Sequence, residues 1–114
     1  MMDRDQHYFR RIMHVLEVNY TADLSLEQLC LEMSLSATSI NRILKSRTGL
    51  TFTLALREIR IRKACAYLRQ TPLTVQEIAE MTGFRNARYF IHIFKERMEV
   101  TPGQYRRWLV MKAH

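Results

Sequence analysis

The chain has 114 residues, 47% of them hydrophobic, with three glycines, two prolines and two cysteines. That length suits one domain or two small ones sharing a long helix, and so few turn formers argue against a turn-rich β fold. The formal net charge of +7 is unevenly spread: residues 3–32 carry three basic and six acidic side chains, residues 33–114 fifteen and five. No apolar run approaches the roughly 18 residues that cross a bilayer, and the start Met1-Met2-Asp3-Arg4-Asp5 has no signal-peptide core. These features predict a cytoplasmic protein without a membrane partner.

Taken in chain order, the periodicity predicts a first helix over about residues 5–20, with Phe9, Ile12, Met13 and Leu16 as its buried stripe and a supporting role. Ser25 and Gln28 then have capping-box spacing, in which each side chain satisfies a backbone N–H at the helix start. Leu26, Leu29, Cys30 and Met33 give the helix that follows an apolar stripe. Ser36 caps a further helix carrying Ile40, Ile43 and Leu44, and its opposite face holds Thr38, Asn41, Arg42 and Lys45 at i, i+3, i+4 and i+7. A long helix over about 53–70 turns Leu56, Ile59, Ala64 and Leu68 inward and is closed by Pro72.

The design then returns. Thr74 and Glu77 form a second capping-box pair ahead of Val75, Ile78, Ala79 and Thr82, and Gly83 can enter the left-handed region to end that helix. Asn86 caps a helix with Tyr89, Phe90, Ile93 and Phe94 buried. Ala87, Arg88, Ile91, His92 and Lys95 are left on the other face, a set with no evident packing role. A last helix has Thr101 as cap and Pro102 at its first position, and offers Tyr105, Trp108 and Leu109 to the second core.

Cys30 aligns with Ala79 at an offset of 49, and Leu44-Lys45 with Phe94-Lys95 at an offset of 50, so the second turn is one residue longer. The copies continue through Thr48-Gly49-Leu50-Thr51-Phe52 and Met98-Glu99-Val100-Thr101-Pro102. This internal repeat predicts an all-α fold of about seven helices, with two helix-turn-helix subdomains joined by a long connecting helix. The expected partition is residues 5–50 for the first helix plus the first subdomain, 51–71 for the connecting helix and 72–112 for the second subdomain. In a helix-turn-helix the second helix is presented to the major groove of DNA, and two units in tandem are expected to engage successive groove segments roughly 34 Å apart.

These residues carry a resemblance to the DNA-binding domain of AraC/XylS-type transcription regulators, over about residues 8–108. In the second unit it runs through Ile78-Ala79, Gly83-Phe84, Tyr89-Phe90, Phe94-Lys95 and Thr101-Pro102 to Tyr105-Arg106. In the middle it takes in Arg60-Ile61, Ala64 and Leu68. Glu99 stands where the family usually has Gly, which argues against a left-handed turn after the second reading helix. Phe52 stands where the first unit often has Pro, which implies a different start for the connecting helix. The first helix also resembles the output domains of AraC-type response regulators and hybrid sensor kinases, and the chain reads as a stand-alone regulator or as the C-terminal part of a longer one.

The resemblance implies base-edge contacts from Thr38, Asn41 and Arg42, and the matching candidates in the second helix are Ala87, Arg88, Ile91 and His92. The side-chain chemistry suits base reading, since Asn pairs with adenine and Arg with guanine, and a Thr or Ile methyl meets a thymine methyl. Ile91 could equally pack on a neighbouring loop, and His92 could donate to guanine or phosphate or have no role. Lys45 and Lys95, one turn further on, are expected on phosphates, as are Arg85 and the helix starts at Leu26 and Val75, whose N–H groups carry the positive dipole end. The wider basic set of Arg47, Arg57, Arg60, Arg62, Lys63, Arg97, Arg106 and Arg107 would release counterions from a phosphate backbone, or would simply solvate the surface.

Other classes find little footing. The carboxylates are scattered over caps and solvent positions, no nucleophile has a neighbouring base, and no glycine-rich phosphate loop exists, so neither catalytic residues nor a cofactor are expected. No Cys or His pair has metal-ligand spacing, and Cys30 and Cys65 read as buried thiols rather than metal ligands or redox sensors. The competing reading is a helical protein-interaction module that contacts RNA polymerase or a partner regulator. Oligomeric state is expected to be set by any missing N-terminal domain.

Overall fold

The computed structural model describes residues 3–113, which form seven helices and no strand. They are α1 (Arg4–Asn19), α2 (Leu26–Met33), α3 (Ala37–Thr48), α4 (Phe52–Gln70), α5 (Val75–Met81), α6 (Ala87–Met98) and α7 (Pro102–Ala113). The chain divides into two compact units, the first ending at Ile59 and the second starting at Arg60. The boundary falls inside α4, so this helix supplies residues to both cores.

In the first unit, Ile12 and Leu16 of α1, Leu29 and Met33 of α2, and Ile40, Ile43 and Leu44 of α3 meet Phe52, Ala55, Leu56 and Ile59 of α4. In the second, Ile61, Ala64, Cys65 and Leu68 of α4 pack with Ile78, Ala79, Phe84, Phe90, Ile93 and Phe94. Stripes such as Ile40, Ile43 and Leu44, and Phe90, Ile93 and Phe94, recur at helical spacing, which is why periodicity located them, whereas Phe84 joins the second core from the turn between α5 and α6. The second core is aromatic: Phe84, Phe90, Phe94 and Tyr105 follow one another at ring separations of 4.9 Å, 5.7 Å and 5.7 Å, tilted or edge-on as ring quadrupoles favour. Thr82 is fully buried there, and its hydroxyl donates to the Ile78 carbonyl at 2.6 Å, so no polar atom is stranded.

Both expected capping boxes are present. Gln28 N–H donates to Ser25 Oγ at 3.1 Å while Ser25 N–H donates to Gln28 Oε1 at 3.3 Å. The Thr74–Glu77 pair repeats this at 3.1 Å and 3.0 Å. There the Thr74 N–H, and then its hydroxyl, holds the Glu77 carboxyl below the usual carboxylate range. Gly83 takes φ 87°, closing the first helix of its pair, whereas Ser34 takes the same region at φ 53° in the first unit.

Three expectations are corrected. Glu99 does adopt the left-handed turn, at φ 67°, and its N–H donates to the Lys95 carbonyl as the Gly49 N–H does to Lys45. That carbonyl bond closes the helix although a Cβ there costs about 1–2 kcal/mol. Trp108 is not in the second core: it is 54% exposed, beneath the Lys112 ammonium at 5.4 Å, and Tyr105 alone of the three α7 candidates packs on that core. Tyr105 meets the Phe94 ring edge-on at 5.7 Å, whereas Trp108, one turn further along α7, pairs with the Lys112 ammonium instead. Cys65 is buried as expected, but Cys30 is half-buried at the edge of the first core.

Candidate nucleic-acid interface

Each unit presents one helix with a buried stripe and an exposed polar stripe. On α3, Ser36 accepts the Ser39 N–H at 3.1 Å, fixing the first turn, while Ile40, Ile43 and Leu44 anchor the inner face. Thr38, Arg42 and Lys45 are thereby held outward. On α6, Asn86 accepts the Tyr89 N–H at 2.8 Å, Phe90, Ile93 and Phe94 anchor the helix, and Arg88, Ile91, His92 and Lys95 face solvent. Both helices end in two basic residues, Lys45 and Arg47 in one and Lys95 and Arg97 in the other. These charges suit the negative end of each helix and enlarge a basic surface.

Among the described residues, the capping boxes leave the amides of Leu26 and Val75, at the first helical positions of α2 and α5, without an acceptor. Their side chains, by contrast, are half-buried against the cores. Any role of these two residues towards an anion is a backbone role.

Two positions, Asn41 and Ala87, are less exposed than the sequence implies, and two exposed ones, Arg42 and His92, have protein partners. Asn41 is half-buried, and its Oδ1 accepts the Phe52 N–H at 2.9 Å. It serves as a cap for the start of α4, and a two-toothed pairing with adenine would have to compete for that oxygen. Ala87 is half-buried against the second core, so its methyl is turned from the exposed stripe. Arg42 is exposed but occupied: Nη1 donates to Asp5 Oδ2 at 2.8 Å and Nη2 to Asp5 Oδ1 at 3.5 Å. His92 Nε2 lies 3.6 Å from Glu96 one turn along its own helix, a pairing that carries charge when the imidazole is protonated.

The basic residues also divide by role. Arg106 donates to the Leu68 and Thr71 carbonyls at 3.3 Å and 3.1 Å, tying α7 to the C-terminal end of α4. It belongs to the fold and leaves the basic surface. Arg85 is the extra residue of the second turn, and its guanidinium lies over the Tyr89 ring at 5.4 Å. Arg88, Lys45 and Lys95 are exposed, with no side-chain partner among the described residues. Among those residues no group of three or more His, Cys, Asp or Glu is placed to hold a metal ion.

Sequence reasoning missed Asp5 as a partner of α3, because a contact 37 residues away leaves no periodic trace. The cap role of Asn41 did have a signal. The repeat aligns Phe52 with Pro102, and where Pro brings no N–H to the helix start, Phe brings one that needs an acceptor.

The family described as a helix-turn-helix domain matches residues 29–107. The chain is 31% identical over 103 residues to the transcriptional activator RhaR of Pectobacterium carotovorum, covering 90% of this chain and 36% of that protein. The chain belongs to the AraC/XylS family. Two solved members of similar extent are C-terminal domains of response regulators. That of AraT from Geobacillus stearothermophilus is 34% identical with a TM-score of 0.85, covering 92% of this chain and 88% of that one. That of yesN from Fusobacterium nucleatum is 34% identical with a TM-score of 0.81, covering 88% and 98%. The chain therefore spans about a third of the length of the RhaR relatives, and nearly all of these two domains.

Proposed function

We propose that this AraC/XylS-type chain binds double-stranded DNA sequence-specifically through the major groove and regulates transcription. The observation that carries the reading is the pair of reading helices, each anchored by an apolar stripe and each leaving a polar stripe that ends in basic residues. Thr38, Arg42, Arg88, Ile91 and His92 are the proposed base readers, with Lys45, Lys95, Arg85 and the amides of Leu26 and Val75 on phosphates. Asn41 acts there through the cap it makes, and Ala87 by letting the start of α6 approach closely. The functional partition is 5–50, 51–71 and 72–112.

The same reading makes the chain a regulator rather than an enzyme, working in the cytoplasm without a cofactor. Among its described residues no helix is long and apolar enough to cross a membrane. One relative, AdaA of Bacillus subtilis, carries the description bifunctional transcriptional activator and DNA repair enzyme, and the chain matches 51% of it at 31% identity. RNA polymerase as a second partner, and an oligomeric state set by whatever N-terminal domain a longer chain carries, belong to the same proposal.

Selection of bound sites from random duplex DNA, followed by titration of a selected site at two salt concentrations, tests it. A recurring selected motif and a steep loss of affinity with salt are expected. A shallow salt dependence with no enriched motif would return the chain to the protein-interaction class.

A further inference from the structure

The first turn of α1 places two carboxylates against the outer side of α3. Asp5 takes both terminal nitrogens of Arg42, and Asp3 Oδ1 lies 3.4 Å from Arg47 Nη2. Asp3 is itself pinned, since the same oxygen accepts the Gln6 N–H at 2.7 Å as the cap of α1. Arg47 is steadied from a second side by the Phe9 ring at 5.8 Å. α1 packs on α3 through the core that Ile12, Leu16, Ile40, Ile43 and Leu44 form, so the carboxylates are held in place rather than swinging on a loose end. The Arg42 hydrogen bond also keeps the Asp5 carboxyl below its ordinary range, so the pair stays charged across neutral pH. On α6, by comparison, His92 Nε2 lies 3.6 Å from Glu96 of the same helix.

We propose that Asp5 is a specificity-determining residue that acts through Arg42, suppressing binding to DNA that offers phosphates alone. This rests on Arg42 as a base reader. The two terminal nitrogens that Asp5 engages are the fork that an arginine turns towards a phosphate. On arbitrary DNA, moving that fork to a phosphate exchanges one charged acceptor for another and leaves the Asp5 carboxylate unpaired beside a polyanion. The exchange gains little and adds repulsion. A guanine placed against the remaining donors is different, because a guanidinium has five N–H groups and Asp5 uses two. Arg42 can then read the base while it stays on Asp5, and it arrives already ordered.

The test compares the wild type, Asp5→Asn, Arg42→Ala and the double variant on a selected site and on mixed-sequence duplex at one salt concentration. Asp5→Asn is expected to tighten mixed-sequence binding about 3- to 10-fold and to leave the selected site within about 2-fold, so the specificity ratio falls. In the Arg42→Ala background the Asp5 substitution should no longer change the ratio. Equal tightening on both duplexes would make Asp5 a general repulsive charge and overturn the proposal, as would an effect that survives Arg42→Ala, or no effect at all. Arg42→Ala losses that are equal on both duplexes would instead remove the base-reading role beneath it. Circular dichroism melts check the fold of each variant, and Asp5→Ser, which suits a first helical turn, serves if the Asn variant melts early.

Discussion

The two units use one plan and solve its local problems differently. After α3 the chain turns left-handed at Gly49, and after α6 it does so at Glu99. The helix that follows begins with Phe52 in one unit and Pro102 in the other. Phe52 brings an N–H that Asn41 satisfies from the reading helix, whereas Pro102 brings none, and the matching position, Ile91, is apolar and 37% exposed. The start of α7 is closed instead by Thr101 and Gln104, at 2.9 Å and 3.1 Å. A repeat thus keeps the requirement that every helix start be satisfied, while the side chain that meets it moves.

The comparison can be broken first at its cores. Phe90→Ala should remove about 3–5 kcal/mol of unfolding free energy, because a fully buried ring shared by Phe84 and Phe94 leaves a cavity that its neighbours fill poorly. Urea unfolding gives the magnitude, and amide exchange should show α5 and α6 losing protection before α2 and α3. Uniform loss over all seven helices would mean that the units do not open separately.

A reciprocal exchange sharpens the capping difference. Asn41→Ile, which copies the second unit into the first, should cost about 1–2 kcal/mol by orphaning the Phe52 N–H. The reverse change, Ile91→Asn, should leave stability within about 0.5 kcal/mol, since Pro102 has no N–H to receive. Comparable costs in both directions would show that packing, not the missing acceptor, decides the position.

The smallest effects belong to the turns. Gly49→Ala should destabilise by about 1 kcal/mol, for although a Cβ there meets nothing within 4 Å, its φ of 77° is strained for any L side chain. Glu99→Gly should gain up to about 1 kcal/mol by relieving the same strain at φ 67°. Thermal melts of the two variants should shift in opposite directions.

Much of this fold was legible because its signals are local. Capping boxes at Ser25 and Thr74, stripes such as Ile40-Ile43-Leu44, and the Gly83 turn all lie within a few residues, and each recurs in the structure. The exposed stripes of α3 and α6 followed by subtraction, except at the half-buried Asn41 and Ala87. What escaped were contacts between residues far apart in sequence: Asp5 on Arg42, Asn41 on Phe52, and Arg106 on the carbonyls that end α4. A polar side chain looks the same in sequence whether it faces solvent or a distant backbone group. Trp108 shows the converse, since hydrophobic character at a helical position did not secure it a place in the core.

The division of α4 between two cores bears on how the chain folds. Phe52, Ala55, Leu56 and Ile59 serve one unit and Ile61, Ala64, Cys65 and Leu68 the other, so each owns a segment of about two turns. Isolated helices shorter than about 12–15 residues are marginal in water, because the first turn is costly to nucleate while each added residue is cheap. Whichever unit condenses first therefore hands its neighbour a helix already begun, and the second folding event starts from propagation rather than nucleation.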